Sequence, residues 1–106
     1  MNRGDIWWVS FERATGGEVR KRRPAVITSN NTANRFANRV QVVPISTRIE
    51  KLYPCETLVQ VGDRKCKAMA DQLTTVSKHR LLTPLASLTA EELERVEMVV
   101  RLQLSL

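Results

Sequence analysis

The stretch Glu18-Val19-Arg20-Lys21-Arg22-Arg23-Pro24-Ala25-Val26-Ile27-Thr28-Ser29-Asn30-Asn31-Thr32-Ala33-Asn34-Arg35-Phe36-Ala37-Asn38 runs from a charged loop through a proline-led apolar segment into a run rich in asparagine. Its centre, Pro24 to Ile27, is short and β-branched and reads as a strand. Pro24 suits the first residue of a strand, where no ladder donor is required. Arg23 is then held on a rigid element, with Glu18 on the loop before it. Two readings of that pair stand side by side. A fixed guanidinium can hold phosphate oxygens bidentately while a nearby carboxylate accepts a proton. The same two side chains also make an ordinary exposed salt bridge at a loop base, which contributes little. Beyond Ile27, Thr28 to Asn38 has little apolar periodicity and reads as turn or loop. Its Arg35-Phe36 pair suits stacking on an unpaired base, or Phe36 turns inward and anchors the loop to the core.

Outward from this stretch the chain is a series of short strands. Ile6-Trp7-Trp8-Val9-Ser10-Phe11 is dense in aromatic and branched residues, with Gly4 as its entry bend. Alternation sends Trp7 and Trp8 to opposite faces, one toward the core and the other toward a second surface or along the sheet edge. Glu12 to Arg22 contains Gly16-Gly17 and no periodicity, so it is a loop of the length usually kept for function or left disordered. Arg39 to Thr47 is a third strand, and Pro44 within it predicts an edge position or a bulge. That strand ends in two hydroxyls, Ser46 and Thr47, which alternation points to opposite faces.

Cys55 to Val61 follows as a fourth strand with Gly62-Asp63 as its turn, and Cys66 to Ala70 and Gln72 to Val76 read as further strand pieces. Ser77 to Arg80 reads as a short helical turn, and its histidine, His79, as a surface residue. The clearest helix comes last: Thr89-x-x-Glu92 is a capping box, Leu88 and Leu93 stand at staple spacing, and Leu93, Val96, Val100 and Leu104 recur at helical intervals. Six or so strands, one terminal helix and no crossover helices predict a mainly β chain with helices, of α+β class, built as a small curled β-barrel.

Length and composition bound the function. The 106 residues suit one domain, spanning 1–106. Cys55 and Cys66 lie far from His79 and form no zinc spacing, so both are expected as reduced, buried thiols with no metal or cofactor implied. No charged-then-apolar leader opens the chain and no run is long enough to span a membrane, which makes the cytoplasm the expected location. Residues 1–51 carry ten Lys/Arg against four Asp/Glu, whereas residues 52–106 carry seven of each. The whole excess of +6 therefore lies in the first half. A local basic surface fits nucleic acid, an acidic protein partner or a merely solvated loop.

Several strings, in order along nearly the whole chain, resemble the MazF/PemK family of toxin endoribonucleases, the messenger-RNA interferases of type II toxin–antitoxin systems. They are Arg3-Gly4-Asp5-Ile6-Trp7, Gly17-Glu18 with Arg23-Pro24-Ala25-Val26-Ile27, Asn34-Arg35-Phe36, Val43-Pro44-Ile45-Ser46-Thr47, Tyr53-Pro54, and Asp71-Gln72-Leu73 with Thr75-Val76. The resemblance implies an SH3-like, PemK-type barrel with a C-terminal helix, a homodimer, and metal-independent cleavage of single-stranded RNA at short sequences. It implies attack of a 2′-hydroxyl on the adjacent phosphate, leaving a 2′,3′-cyclic phosphate and a 5′-hydroxyl, and restraint by an acidic MazE-like antitoxin.

Carried over by residue, Arg23 matches the family's catalytic arginine, Ser46 or Thr47 its catalytic hydroxyl, and Glu18 the loop glutamate implicated in some members. With these go the candidate RNA contacts Arg20, Lys21, Arg22, Asn30, Asn31, Arg35, Phe36, Arg48 and Gln72. Register against the family's string favours Ser46 as the hydroxyl. Cys55 interrupts the family's Tyr-Pro-aromatic string, and Arg20-Lys21-Arg22 makes the loop unusually basic. Two other readings compete with the nuclease: a related barrel toxin that poisons DNA gyrase, and a non-catalytic RNA-binding module.

Overall fold

A computed structural model describes residues 1–11 and 21–106 of the chain. Its strands are β1 (Asp5–Ser10), β2 (Arg22–Ile27), β3 (Arg39–Ser46), β4 (Glu56–Val61), β5 (Arg64–Met69), β6 (Thr74–Ser77) and β7 (Leu81–Ser87), with helices α1 (Asn31–Phe36) and α2 (Ala90–Leu104). Three-residue 3₁₀ turns, Ala70–Gln72 and Lys78–Arg80, flank β6. The sheet runs β4-β5-β3-β2-β1-β7, with neighbouring strands antiparallel, and β6 joins it by an antiparallel pairing with β3. This is the mainly β barrel with a C-terminal helix that the strand pattern predicts. No helix among the described residues is long and apolar enough to cross a membrane.

Because strand side chains alternate, the curled sheet buries two separate cores. One gathers Val9, Ala25, Ile27, Val40, Val42, Val76 and Leu81, with Trp7 and Phe11 packed against it. The other gathers Ile6, Val26, Val43, Ile45, Val59, Cys66 and Ala68 under Val96 of α2. Full burial of one such branched side chain contributes about 1.5–3 kcal/mol. Trp7 thus turns toward a core while Trp8 remains 38% exposed, the division that alternation predicts.

Four elements differ from the sequence expectation. The segment Thr28 to Asn38 is not all loop, for α1 occupies its middle. Asn30 is the N-cap, its side-chain oxygen accepting from the Ala33 amide at 2.8 Å, and buried Asn34 donates to the Ser29 carbonyl at 2.8 Å. Side-chain capping and a buried amide, rather than an apolar stripe, hold this short helix, so periodicity could not reveal it.

Second, β3 is central rather than an edge strand. Pro44 is accommodated because β3 changes partners there. On one flank it pairs with β6 from Arg39 to Val42 and with β5 only from Ile45, leaving the proline between the two ladders. The Gln41 carbonyl accepts from the Thr28 amide and the Gln41 amide donates to Ser29, both on the β2 flank. Strand alternation then turns the Pro44 nitrogen to the opposite flank, into the gap, where no donor is missed.

Third, Leu81–Ser87, to which the sequence pattern assigns no element, forms β7 with Pro84 in its interior. The strand lies at the sheet edge against β1 with two register shifts, where a proline is tolerated. Fourth, Gln72 belongs to a 3₁₀ turn and not to a strand. Cys66 is buried as expected, but Cys55 is only half-buried; both are free thiols. Burial pushes the Cys66 thiol above its ordinary value, against a smaller opposing pull from Arg64, which disfavours its reactive thiolate.

The capping box of α2 is complete, and it does more than cap. Glu92 accepts from the Thr89 amide at 3.0 Å and, with its other oxygen, from the Gln60 amide of β4 at 2.6 Å. One carboxylate therefore ties the helix start to the sheet. Burial pushes the Glu92 carboxyl up, but the bonds from Thr89 and Gln60 and the charge of Arg95 outweigh it and hold the group below its ordinary 4.5. A depressed carboxyl contributes stability that is complete above its unfolded value and is lost as pH falls through the folded one. Glu92→Gln should therefore lower stability at pH 7 by about 1 kcal/mol. The gap between the two proteins' melting temperatures should close as pH falls below 4.5. A gap unchanged by acid would mean the charge contributes nothing.

Candidate active site

The β1–β2 ladder sets Arg23 opposite Val9, so its backbone is fixed on both sides of the side chain. The half-buried Arg23 lines a cleft of about 250 Å³ with Phe11, Lys21, Pro44, Gln72 and Thr74. Among the described residues, no hydrogen bond or ion pair holds its guanidinium. No described residue therefore claims any of its five planar donors, whose fork is the shape that matches a phosphate. The salt bridge to Glu18 that competes with this reading lies outside the described residues, as do Glu18 and Arg20 themselves.

Two residues past its lining residue Pro44, β3 ends in a hydroxyl, that of Ser46, which is not itself part of the cleft lining. The β2–β3 register pairs Ile27, Val26 and Ala25 with Val42, Val43 and Pro44. Continued two residues further, it sets Ser46 across from Arg23, and opposed side chains of an antiparallel pair share one face. Ser46 closes β3, half-buried, and its oxygen accepts from the Arg48 amide at 3.1 Å. That contact leaves the Ser46 hydroxyl proton free to donate. Thr47 stands just beyond the strand and is exposed.

The remaining candidates divide into two groups. Lys21 and Gln72 line the Arg23 cleft, and exposed Arg22 and Arg48 adjoin it along the chain. Asn30, Asn31, Arg35 and Phe36 lie at the other end of β2, one strand length away. There Asn30 caps α1 and Asn31 accepts from the Arg3 amide at 2.7 Å, so both side chains have structural work. Phe36 does not anchor anything: it is 78% exposed, with the Arg35 guanidinium 5.5 Å from its ring centre. His79 is exposed, as expected. Sequence reasoning did not single out Phe11, Pro44 or Thr74 as cleft residues. Phe11 follows a strand that reads as core, and only the tertiary register brings it beside Arg23.

Charge favours anions here, since no Asp or Glu stands between Glu18 and Glu50, a stretch that carries seven Lys/Arg. Among the described residues, no three His, Cys, Asp or Glu side chains gather as a metal site.

Residues 2–104 match the family of PemK-like, MazF-like toxins of type II toxin–antitoxin systems. The chain belongs to that family. Over its full length it is 36% identical to endoribonuclease MazF9 of Mycobacterium tuberculosis, covering 98% of that protein. It is 30% identical over its full length to endoribonuclease MazF of Staphylococcus saprophyticus, covering 92% of it. The whole chain superposes on a chain from the crystal structure of MazE–MazF from Deinococcus radiodurans with a TM-score of 0.86, at 25% identity and 96% coverage of that chain.

Since the Arg23 guanidinium bonds to no described residue, removing it should cost the fold little. Arg23→Ala should leave thermal stability within about 0.5 kcal/mol of the parent, the usual range for a surface change. A loss several times larger, measured by urea unfolding, would show that Arg23 is a structural ion-pair residue.

Proposed function

We propose that this toxin endoribonuclease cleaves single-stranded RNA at short sequences without a metal ion, using Arg23 and Ser46 on one phosphate. The observation that carries this reading is the Arg23 guanidinium in a cleft, bonded to no described residue, with the β2–β3 register, continued two residues past its last pair, bringing Ser46 opposite it. In the reaction the ribose 2′-oxygen bonds to the adjacent phosphorus while the bond from phosphorus to the 5′-oxygen breaks. A base takes the 2′ proton, and the leaving 5′-oxygen receives one. The products are a 2′,3′-cyclic phosphate and a 5′-hydroxyl. Negative charge grows on the non-bridging oxygens at the transition state, where a fixed guanidinium and a hydroxyl donor stabilise it most. Glu18 is the proposed proton acceptor.

The cleft of about 250 Å³ suits a single splayed nucleotide, and a duplex cannot present one. Lys21, Arg22, Arg20, Arg48 and Gln72 hold the strand near the cut, and exposed Phe36 with Arg35 stacks on a base further along it. The toxin acts as a homodimer. Exposed Met98, Leu102 and Leu104 on α2 support that, being more apolar surface than one copy of a helix normally leaves in water. Its second partner is an acidic antitoxin bound through the basic stretch 19–49, which carries no Asp or Glu. That binding should weaken steeply as salt is raised from 0.05 to about 0.5 M. Binding insensitive to salt, measured by calorimetry, would remove the electrostatic basis of this pairing.

Purified protein should cut single-stranded RNA in EDTA, leave 5′-hydroxyl ends and spare duplex RNA. Strict dependence on a divalent ion would overturn the mechanism. Arg23→Lys keeps the charge but loses the fork, and should slow single-turnover cleavage by orders of magnitude. Ser46→Ala should slow it by about a hundredfold, the order seen when one preorganised donor is removed. Thr47→Val should act little. A large loss confined to Thr47→Val would transfer the role to that hydroxyl.

A further inference from the structure

One buried charge pair on the molecule has no part in the chemistry above. Lys67 Nζ and Glu56 Oε1 lie 2.8 Å apart, with both side chains less than one-tenth exposed. The ammonium also donates to the Lys51 carbonyl at 3.0 Å and stands 5.4 Å from the centre of the Tyr53 ring. Glu56 Oε1 accepts in turn from the Tyr53 amide at 2.9 Å. Every one of these contacts beyond the pair itself is made to one segment, residues 47–55.

Both ends of that segment are fastened two residues from a cleft residue, at Ser46 after Pro44 and at Ala70 before Gln72, although the segment itself is outside the cleft lining. It begins at Ser46, whose partner across β3 and β5 is Lys67. Opposed residues share a face, so the ammonium rises on the same side of the sheet as the Ser46 hydroxyl. It ends at Cys55, whose carbonyl accepts from the Ala70 amide at 3.0 Å, two residues before the cleft residue Gln72. The arch between these ends carries no regular strand or helix. Left to its own backbone it has little to fix its shape.

We infer that Lys67 and Glu56 are positioning residues, which hold residues 47–55 as a rigid wall at the border of the RNA-binding cleft, next to Ser46, and so determine how tightly and in which register RNA leaving the cleft lies over Arg23 and Ser46. The physical warrant is the cost of burying the charges. A buried ion pair is weak as a source of stability, because desolvation offsets most of the attraction, and an apolar pair of similar volume serves a core as well. What an apolar pair cannot do is direct bonds to the Lys51 carbonyl and the Tyr53 amide. An ammonium with three donors can satisfy a carboxylate and a carbonyl at once, and it fixes their relative position by doing so. The wall acts on substrate through its shape and through Arg48, which it carries, while Lys67 itself touches neither RNA nor the reacting atoms.

This inference rests on the reading of Arg23 and Ser46 as the cleaving groups, and the two are separable by experiment. If the parent protein does not cut RNA in EDTA, that reading has failed. If it does, the double variant Lys67→Met/Glu56→Gln tests the wall, since it removes both charges while keeping volume and an acceptor for the Tyr53 amide. With binding at equilibrium before cleavage, the variant should show KM raised by about tenfold and kcat within twofold of the parent, the signature of lost binding without lost transition-state contacts. Cut-site mapping should show relaxed sequence choice, and trypsin should cut after Lys51 in the native variant but not in the parent.

Unchanged KM with an unchanged tryptic pattern would overturn the inference. So would a fall in kcat alone, which would place the pair with the reacting groups. Should the double variant fail to fold, Tyr53→Leu provides the second test, because Tyr53 is 58% exposed and its loss spares the ion pair. It removes the ring beneath the ammonium and should raise KM in the same direction by roughly threefold. No change in KM there would also count against the wall.

Discussion

The fold depends on β3 being able to serve two neighbours along one flank. A strand that pairs with β2 on one side and with both β6 and β5 on the other must release one ladder before it takes up the next. Such a release normally strands a backbone donor in the interior, at a cost of about 1–3 kcal/mol. Pro44 has no donor to strand. The residue that argues against a central strand is thus the one that lets β3 occupy the centre. Its position also serves the site: Pro44 lines the cleft, and the ladder that begins just after it delivers Ser46 opposite Lys67.

Stability and chemistry are kept apart in this molecule. Branched apolar residues on both faces of the sheet supply the cores, and the Glu92 carboxylate ties α2 to β4. Neither the buried branched residues nor Glu92 lines the Arg23 cleft; Phe11, packed at the margin of one core, is where core and cleft meet. Arg23 is spared any internal partner among the described residues, although the chain has acids available. The chain keeps them out of the stretch from Val19 to Ile49, so no acid of β2, α1 or β3 competes for the arginine.

What sequence made legible was whatever local chemistry specifies. The Thr89-x-x-Glu92 box, the β-branched run after Pro24 and the Gly4 bend each name their own conformation, and each recurs in the structure, Gly4 with φ of +93°. Hidden features were those in which a tertiary circumstance reverses a local preference. Pro84 breaks a strand unless the strand lies at an edge, and Asn-rich α1 holds only because Asn34 is buried against Ser29. The candidate site divides in the same way. Arg23 was visible as a charge fixed on a strand, whereas its separation from Arg35 and Phe36 by the length of β2 depends on α1. The contribution of Phe11 depends on register, which no string of residues displays.

Arg3 carries a consequence for how the molecule comes together. Its guanidinium donates to the Thr28 carbonyl and to Glu97, 94 residues away, while the neighbouring Gly4 carbonyl accepts from the Leu88 amide at 2.9 Å. The first strand is therefore seated by the last strand and the last helix, and β1 keeps one open edge until β7 arrives. Topologies dominated by such distant pairings fold on the order of milliseconds to seconds, slowly for this size, because loop closure precedes the reward. A ribosome that has released only the first 80 residues holds a barrel with its seam unsewn. The seam closes only when residues 81–87 pair with β1, after Thr74, the last described residue lining the cleft, has already been made.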